Sequence, residues 1–457
     1  MQKTQSTHAS NPNSPGASLA AATQRIWERN QRYIPGGLFS LNRHIEPVRV
    51  FERGKGAYLW DIEGNRFIDY HAAFAPYFLG HGDPEVDGAV IDVIKSGASL
   101  FGAGTTAWEG ELAELIVESV PTLDQVQVTN TGSEATSYAI RLARAHTGRD
   151  GVLLVQGGYN GWEDDVAFNL MDPAEAQTTR DDGRGLNLRP LSTGIPATVK
   201  ANTYVIQFND LAAAEQVLRD GDIAVLILEP ILQNVGIVKP EPGYLEGLRE
   251  LCDRYGTVLV FDEVKTGFRH ALGGYQSLCG VRPDLSTFGK AIANGYPLGV
   301  IGGKREVMAH AADPDPKKRV LIAGTYNGHP VPVAAAIATL RKLRGRTDEI
   351  YGHTDALGAQ MEEGLQRIFA GASYPVTIVR QRSAFVVYFM DHAPKDWLDI
   401  ARHHDMERDK AYRNRLIENG VFHFPTPTKQ GSISFAHTAA DISKTLEVTE
   451  RIVGEMG

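Results

Sequence analysis

VLVFDEVKTGFRHALGGYQSLCGVRPDLSTFGK, residues 258–290, joins two strand-like runs, and each run ends on charge. The first, Val258–Phe261, is apolar throughout and stops on Asp262 and Glu263. A run with no polar side reads as a strand covered on both faces, the habit of a parallel sheet between helices. The second, Leu285–Phe288, stops on Gly289 and then Lys290. In an open parallel sheet, ligands bind outside the carboxyl ends of the strands. A carboxylate that finishes a buried strand is costly unless it meets a cation. A lysine in an apolar turn tends to lose its proton and become a nucleophilic amine. The plain alternatives are a structural salt bridge for the acid and a solvated surface position for the lysine.

Outward from this stretch, short apolar or β-branched runs recur at residues 125–130, 151–156, 203–208, 224–230, 257–263, 285–290 and 298–303. Helical patterns over Ser133–His146 and Tyr244–Tyr255 separate several of them. Such alternation predicts an α/β fold with a mostly parallel sheet. Upstream, Ala21–Arg32 has a helical pattern, and Val50–Ala73 reads as a β-meander broken at Gly54, Gly56 and the turn Glu63-Gly64-Asn65. Downstream of Val331 one long helix (Val331–Leu343) leads into helices and short strands such as 383–390 and 431–437, a separate C-terminal α/β unit. The polar residues 1–20 read as a disordered tail. The predicted organisation is therefore 1–20 tail, 21–75 helix and meander, 76–330 large domain and 331–457 C-terminal small domain.

Bulk properties narrow the function classes. A chain of 457 residues can hold two or three domains around a large core. Its net charge of −9 offers no basic footprint for nucleic acid or an anionic membrane. The two cysteines form no CxxC, which speaks against a disulfide framework or a structural metal and fits a reducing cytoplasm. No apolar run approaches bilayer length, and the first residues lack a hydrophobic signal core.

The residues just past the predicted strands describe one ligand between them. Thr131, Gly132 and Ser133 open a helix, where free N–H groups, hydroxyls and the helix dipole suit a phosphate; a simple N-cap, with Ser133 capping and Glu134 in the first turn, is the bland reading. Tyr159 follows Gly157-Gly158 and suits stacking on a planar ring. Glu229 ends the run 224–228, and Asn234 follows it. Asp262 suits a protonated heteroaromatic nitrogen, and Lys290 suits an aldehyde. A phosphate, such a ring and an aldehyde together are pyridoxal 5′-phosphate (PLP). On this reading Asp262 keeps the ring nitrogen protonated, while Lys290 holds the aldehyde as a Schiff base and shuttles protons.

From about Tyr33 onward the chain resembles the class III (subgroup II) aminotransferases of fold type I, in the branch of glutamate-1-semialdehyde 2,1-aminomutase and the β-amino-acid aminotransferases. The motifs that carry this are YIPGG (33–37), LWDIEGNRFIDY (59–70), LGHGDPEV (79–86), TNTGSEAT (129–136), EPILQNVG (229–236), LVFDEVKTGFR (259–269), TFGKAIANGYPLGVIGG (287–303), GTYNGHPV (324–331) and SFAHTAADI (434–442). The resemblance implies a seven-stranded large domain, a small domain built from the N- and C-terminal segments, and a homodimer with shared sites. It implies that Gly132 and Ser133 hold the phosphate, with Thr131 beside them, and that Tyr159 stacks on the ring. Asn234 would lie near the ring hydroxyl, Val264 against the ring, and Glu229 as a gate beside the substrate. Thr325 would reach the neighbouring subunit's cofactor. Arg43, with Ser40 on the same arm, would bind the substrate carboxylate.

Departures shift the expected reaction. Asn160 stands where the mutase branch carries histidine, the stretch 162–197 lacks the mutase lid's glycine-serine pattern, and Lys429 replaces a glutamate. Leu38, Phe39 and Leu41 make the arm apolar. The expected activity is a ping-pong transamination between a carboxylate-bearing amino donor and a keto acid, and the apolar arm points to a donor of the β-amino class. Lys429 would attract a second carboxylate. The alternative is the aminomutase. No metal, nucleic-acid or membrane partner is expected.

Overall fold

In a computed structural model, residues 15–456 of the chain are described. Most of the predicted tail lies outside them, but the remainder is not a tail. A helix runs Pro15–Tyr33, starting well before Ala21. Proline is pre-set for the first helical position and alanine is the best helix former, so PGASLAAA can extend the helix backward.

The strands, in chain order, are β1 (Phe51–Lys55), β2 (Tyr58–Asp61), β3 (Arg66–Asp69), β4 (Gln125–Thr129), β5 (Gly151–Val155), β6 (Thr203–Ile206), β7 (Ile223–Leu228), β8 (Val258–Asp262), β9 (Leu285–Phe288), β10 (Gly299–Gly303), β11 (Thr377–Gln381), β12 (Ala384–Tyr388), β13 (Val421–Phe422) and β14 (Gly431–Ser432). All seven runs read from the sequence form one seven-stranded sheet, ordered β4-β10-β9-β8-β7-β5-β6. The pairs β5–β6, β5–β7, β7–β8 and β8–β9 are parallel, while β10 runs antiparallel to β4 and β9. From β5 to β10 every strand residue is buried. The edge strand β4 instead alternates exposed glutamines with half-buried valines. Alternate apolar side chains of β5, β7 and β8 go to two clusters, and a third, around the helix Pro330–Gly345, takes Phe288 of β9 and Val300 of β10.

The meander forms as β1-β2-β3, and β13 joins it in parallel with β3, pairing Val421 with Ile68 and Phe422 with Asp69. Segments from the two ends of the chain thus share one sheet. A third sheet, β11-β12-β14, includes β11, which the hydrophobic pattern did not announce. Of the strand read over 431–437 only Gly431–Ser432 pairs as a strand. Beyond it Ser434 N–H turns to His437 Nδ1, and Phe435 N–H bonds to the Phe78 carbonyl, so the ladder stops.

Ala72, Ala73, Phe74 and Ala75, which follow β3, all have positive φ, between 46° and 78°. A left-handed turn of non-glycine residues costs roughly 1–2 kcal/mol per residue. The fully buried Arg269 pins it, donating from Nη2 to the Ala75 carbonyl at 2.7 Å.

Candidate active site

The carboxyl end of β8 is built around Asp262. Its side chain is buried at 3% exposure. Oδ1 accepts from Val264 N–H at 3.0 Å and from the Thr287 hydroxyl of β9 at 2.9 Å; Oδ2 accepts from Asn160 Nδ2 at 2.8 Å. Burial pushes this carboxyl above its usual range, against those three hydrogen bonds and the nearby Lys290. No Lys, Arg or His nitrogen among the described residues lies within 4.0 Å of it. A group that brings its own cation would relieve the acid.

At the end of β9, Lys290 adopts φ +49° directly after the extended Gly289. This strained backbone points to an imposed position rather than a local preference. Burial lowers the basicity of its amine, while Asp262 and Glu229 oppose that shift. The residue keeps some solvent contact, as an amine that must meet a ligand requires.

The end of β4 makes the anion corner. The helix Gly132–Thr147 starts at Gly132, and Thr131 is its N-cap, accepting from Glu134 N–H at 3.2 Å. Capping therefore falls to Thr131 and not to Ser133. Two glycines shape the corner. A Cβ on Gly132 would lie 2.7 Å from Val264 Cγ1, and one on Gly161, at φ +123°, would lie 2.9 Å from Ser133 Oγ. Val264 thus lies against Gly132 and Gly289, under the space between the corner and Lys290.

Glu229, just past β7, is 1% exposed. Its Oε1 accepts from Tyr159 N–H at 3.0 Å and Asn234 Nδ2 at 2.9 Å, and its Oε2 accepts from Gln233 N–H at 3.0 Å. It therefore ties the Tyr159 loop to the Asn234 loop, and burial raises its pKa. The Tyr159 hydroxyl is likewise pushed up by burial and then by Asp262. Lys429 is not a free ammonium at the mouth: its Nζ donates to the Asn234 carbonyl at 2.5 Å, and burial brings its pKa down to about 8.

These contacts link Tyr159, Glu229, Asn234 and Lys429 in one network and Asp262 with Val264 in another; charge interactions of Lys290 with Asp262 and Glu229 join the two. Thr131, Gly132 and Ser133 approach through Val264 and Gly161. Three expected residues stand apart. Arg43 and Ser40 on the arm are exposed, as is Thr325 in the loop that Tyr138 and Asn130 hold beside the corner. Sequence reasoning gave no role to Asn160, Thr287 or Lys265. Asn160 had stood out only as a departure from a motif, and Lys265 sat unremarked one place after Val264. The stretch 162–197 packs at its start, with Val166, Ala167 and Phe168 buried, is closed by antiparallel bridges Phe168–Pro190 and Thr179–Leu186, and is exposed over residues 189–194.

PLP fits this donor set. Helix-terminal N–H groups and hydroxyls suit its phosphate, Val264 offers an apolar surface, Asp262 lacks a cation, and Lys290 is an amine of lowered basicity. The profile of the family described as aminotransferase class-III matches residues 40–441. A glutamate-1-semialdehyde 2,1-aminomutase from Nitrosospira multiformis is 38% identical over 438 residues, 94% of this chain and 98% of that protein. A solved transaminase with PLP bound is 28% identical, with TM-score 0.83 over 95% of this chain and 97% of its own. A β-phenylalanine aminotransferase from Variovorax paradoxus is 29% identical, with TM-score 0.82 over 96% and 95% of the two chains.

Proposed function

The chain belongs to the class III aminotransferases, whose cofactor is PLP, and on that premise we propose that it is a transaminase moving nitrogen from a carboxylate-bearing amino donor to a keto acid. The observation that carries the reading is the pairing of functions at adjacent strand ends: Asp262 on β8 is held by Thr287 on β9, three residues before Lys290. Bound PLP supplies an aldehyde that takes up an amine and a ring that withdraws electrons from the carbon losing its proton. Thr131, Gly132 and Ser133 anchor the phosphate, and Tyr159 and Val264 flank the ring. Asp262 keeps the ring nitrogen protonated, and three donors fix its carboxylate so that it need not reorganise. Lys290, of lowered basicity, accepts and returns the proton at the substrate carbon. Glu229 and Asn234 set the loop beside the substrate, and Arg43, with Ser40, presents a guanidinium fork to the donor's carboxylate.

A β-amino donor is favoured by the apolar arm and by the likeness to a β-phenylalanine aminotransferase. Thr325 and Arg43 would serve across a homodimer interface; exposed Phe39, Leu41, Phe101 and Tyr326 support such an interface. The two free cysteines suit the cytoplasm, and among the described residues no helix is long and apolar enough to cross a membrane.

The aminomutase is the second reading, favoured by the identity to the Nitrosospira protein. The 162–197 loop, tied by its bridges Phe168–Pro190 and Thr179–Leu186, and Lys429 weigh against it. Holoenzyme mixed with α-, β- and ω-amino donors separates the two. A donor alone should bleach the cofactor band, and a keto acid should restore it. Rearrangement of glutamate 1-semialdehyde without any keto acid, with all other donors inert, would overturn the transaminase.

A further inference from the structure

His392, Asp399 and His403 converge in the C-terminal unit, and the transaminase reading uses none of them. One donor atom from each lies within 4.8 Å of the other two. Asp399 Oδ1 sits 3.0 Å from His392 Nε2 and 2.8 Å from His403 Nδ1, so two imidazoles meet on one carboxylate. Among the described residues, no other three His, Cys, Asp or Glu side chains gather in this way. The sequence's two cysteines gave no hint of the set, because its members are histidine and aspartate.

The scaffold beneath them is firm. Asp399 and His403, four residues apart, share a face of the helix Trp397–His403. Trp397 and Ile400 bury the opposite side, and Trp397 Nε1 donates to the Asp172 carbonyl at 2.7 Å. Asp396 caps the helix by accepting from Asp399 N–H at 2.7 Å. His392 comes from the loop between β12 and this helix. That loop is tied at its start, where Phe389 N–H donates to His404 Nδ1 at 3.1 Å.

A surface ion pair is the plain alternative, and such pairs stabilise little. Two features go beyond it. The Asp399 side chain is only 11% exposed, yet among the described residues no Lys or Arg nitrogen lies within 4.0 Å of it. Its Oδ2 is fixed by Lys395 N–H at 3.1 Å. The other feature is Asp391, whose Oδ1 lies 2.6 Å from His392 Nδ1. A metal-binding histidine usually gives its second ring N–H to a carboxylate, which fixes the tautomer and aims the other nitrogen at the metal. Asp391 holds the ring so that Nε2 points toward Asp399.

The spacing is close to what a cation needs. Tetrahedral zinc sets its nitrogen and oxygen ligands about 3.4 Å apart. The two imidazoles, both partly open to solvent, would move outward by a few tenths of an ångström from Asp399 Oδ1. The cation would take the place of the protons that bridge Asp399 to the two rings.

We propose that His392, Asp399 and His403 bind a divalent transition cation of the zinc type, with Asp391 as the positioning residue and a fourth position open to water. Imidazole with carboxylate suits zinc. The cation would clip the loop after β12 to a helix whose Trp397 packs beside Gly157, two residues before Tyr159.

Zinc chloride titrated into chelator-treated holoenzyme provides the test. Calorimetry should show one saturable site per chain. His392→Ala and His403→Ala should each weaken it by about tenfold or more, and Asp391→Asn by a similar factor, the usual cost of losing such a carboxylate. Asp391→Glu should restore most of the affinity, which a merely structural loss would not allow. Zinc should also raise the Tm of the unmodified protein, and His403→Ala should abolish that rise. Absence of saturable binding would overturn the site. So would binding that survives both histidine substitutions, since it would then belong to other side chains, such as the His146–His310 pair.

Discussion

At the residue scale, the chemistry rests on how a buried acid is kept ready for a cation. Asn160 supplies the only contact of Asp262 Oδ2 among the described residues, at 2.8 Å. Asn160→Ala should therefore raise the carboxyl's pKa further and loosen its hold on the ring nitrogen. The expected outcome is a fall in kcat of about tenfold or more with a smaller change in KM, together with a weaker cofactor, seen by dialysis. Unchanged kcat and cofactor retention would remove Asn160 from the site. Lys429 gives a pH prediction of definite sign. Burial lowers its pKa, and Glu229, Arg413 and Lys290 act on its charge; Lys265 Nζ donates to the adjacent Gln233 carbonyl, and His71 faces both lysines. Its pKa falls to about 8 in the fold from 10.5, so the unfolded chain binds more protons between those values and stability rises with pH across that window. Urea unfolding between pH 8 and 10 checks it: the rise in stability should shrink in Lys429→Met, and an unchanged rise would assign it to another group. Asp262 and Lys290 were legible because each is a charged residue closing an apolar run. Asn160, 102 residues from its partner, and Thr287, 25 from the same partner, were not, because a polar residue's partner across the fold leaves no local periodicity.

At the element scale, the large sheet was legible because each buried parallel strand must be apolar throughout, a pattern short enough to see and too dense to mistake for a half-exposed element. What escaped were elements whose ends depend on neighbours. The helix Gly132–Thr147 starts at Gly132 because Thr131, not Ser133, supplies the cap. That leaves Ser133 Oγ without a capping duty, and the tight backbone around it requires glycine. Gly132→Ala places a methyl 2.7 Å from Val264 Cγ1. Overpacking of this kind costs about 1–3 kcal/mol, and here Val264 must shift toward the space that the cofactor ring would take in the proposed site. The expected outcome is a weaker cofactor dissociation constant, measured by fluorescence quenching, with a smaller loss in Tm. A variant that binds PLP as tightly as before would show that Val264 does not floor the site.

At the scale of the whole molecule, the single chain leaves part of its expected machinery outside. Arg43 and Thr325 are exposed, and the same arm and loop carry Phe39 at 88% exposure, Leu41 at 63% and Tyr326 at 62%. Large apolar side chains gathered on segments that also bear functional polar residues mark a surface awaiting a partner. The sequence showed these side chains but could not show their exposure, since an apolar residue in a loop is as often packed as bare. In the proposed homodimer a second copy of this chain would give Thr325 a phosphate to reach and Arg43 a carboxylate to orient. Sedimentation of the holoenzyme should therefore report a dimer. Phe39→Asp combined with Tyr326→Asp should shift it to monomer, and donor KM should rise steeply in that monomer even where it still takes up PLP, because Lys290, Asp262 and the anion corner all lie within one chain. A monomer that keeps the unmodified donor KM would separate Arg43 and Thr325 from catalysis altogether, and would confine the working site to the strand ends of a single sheet.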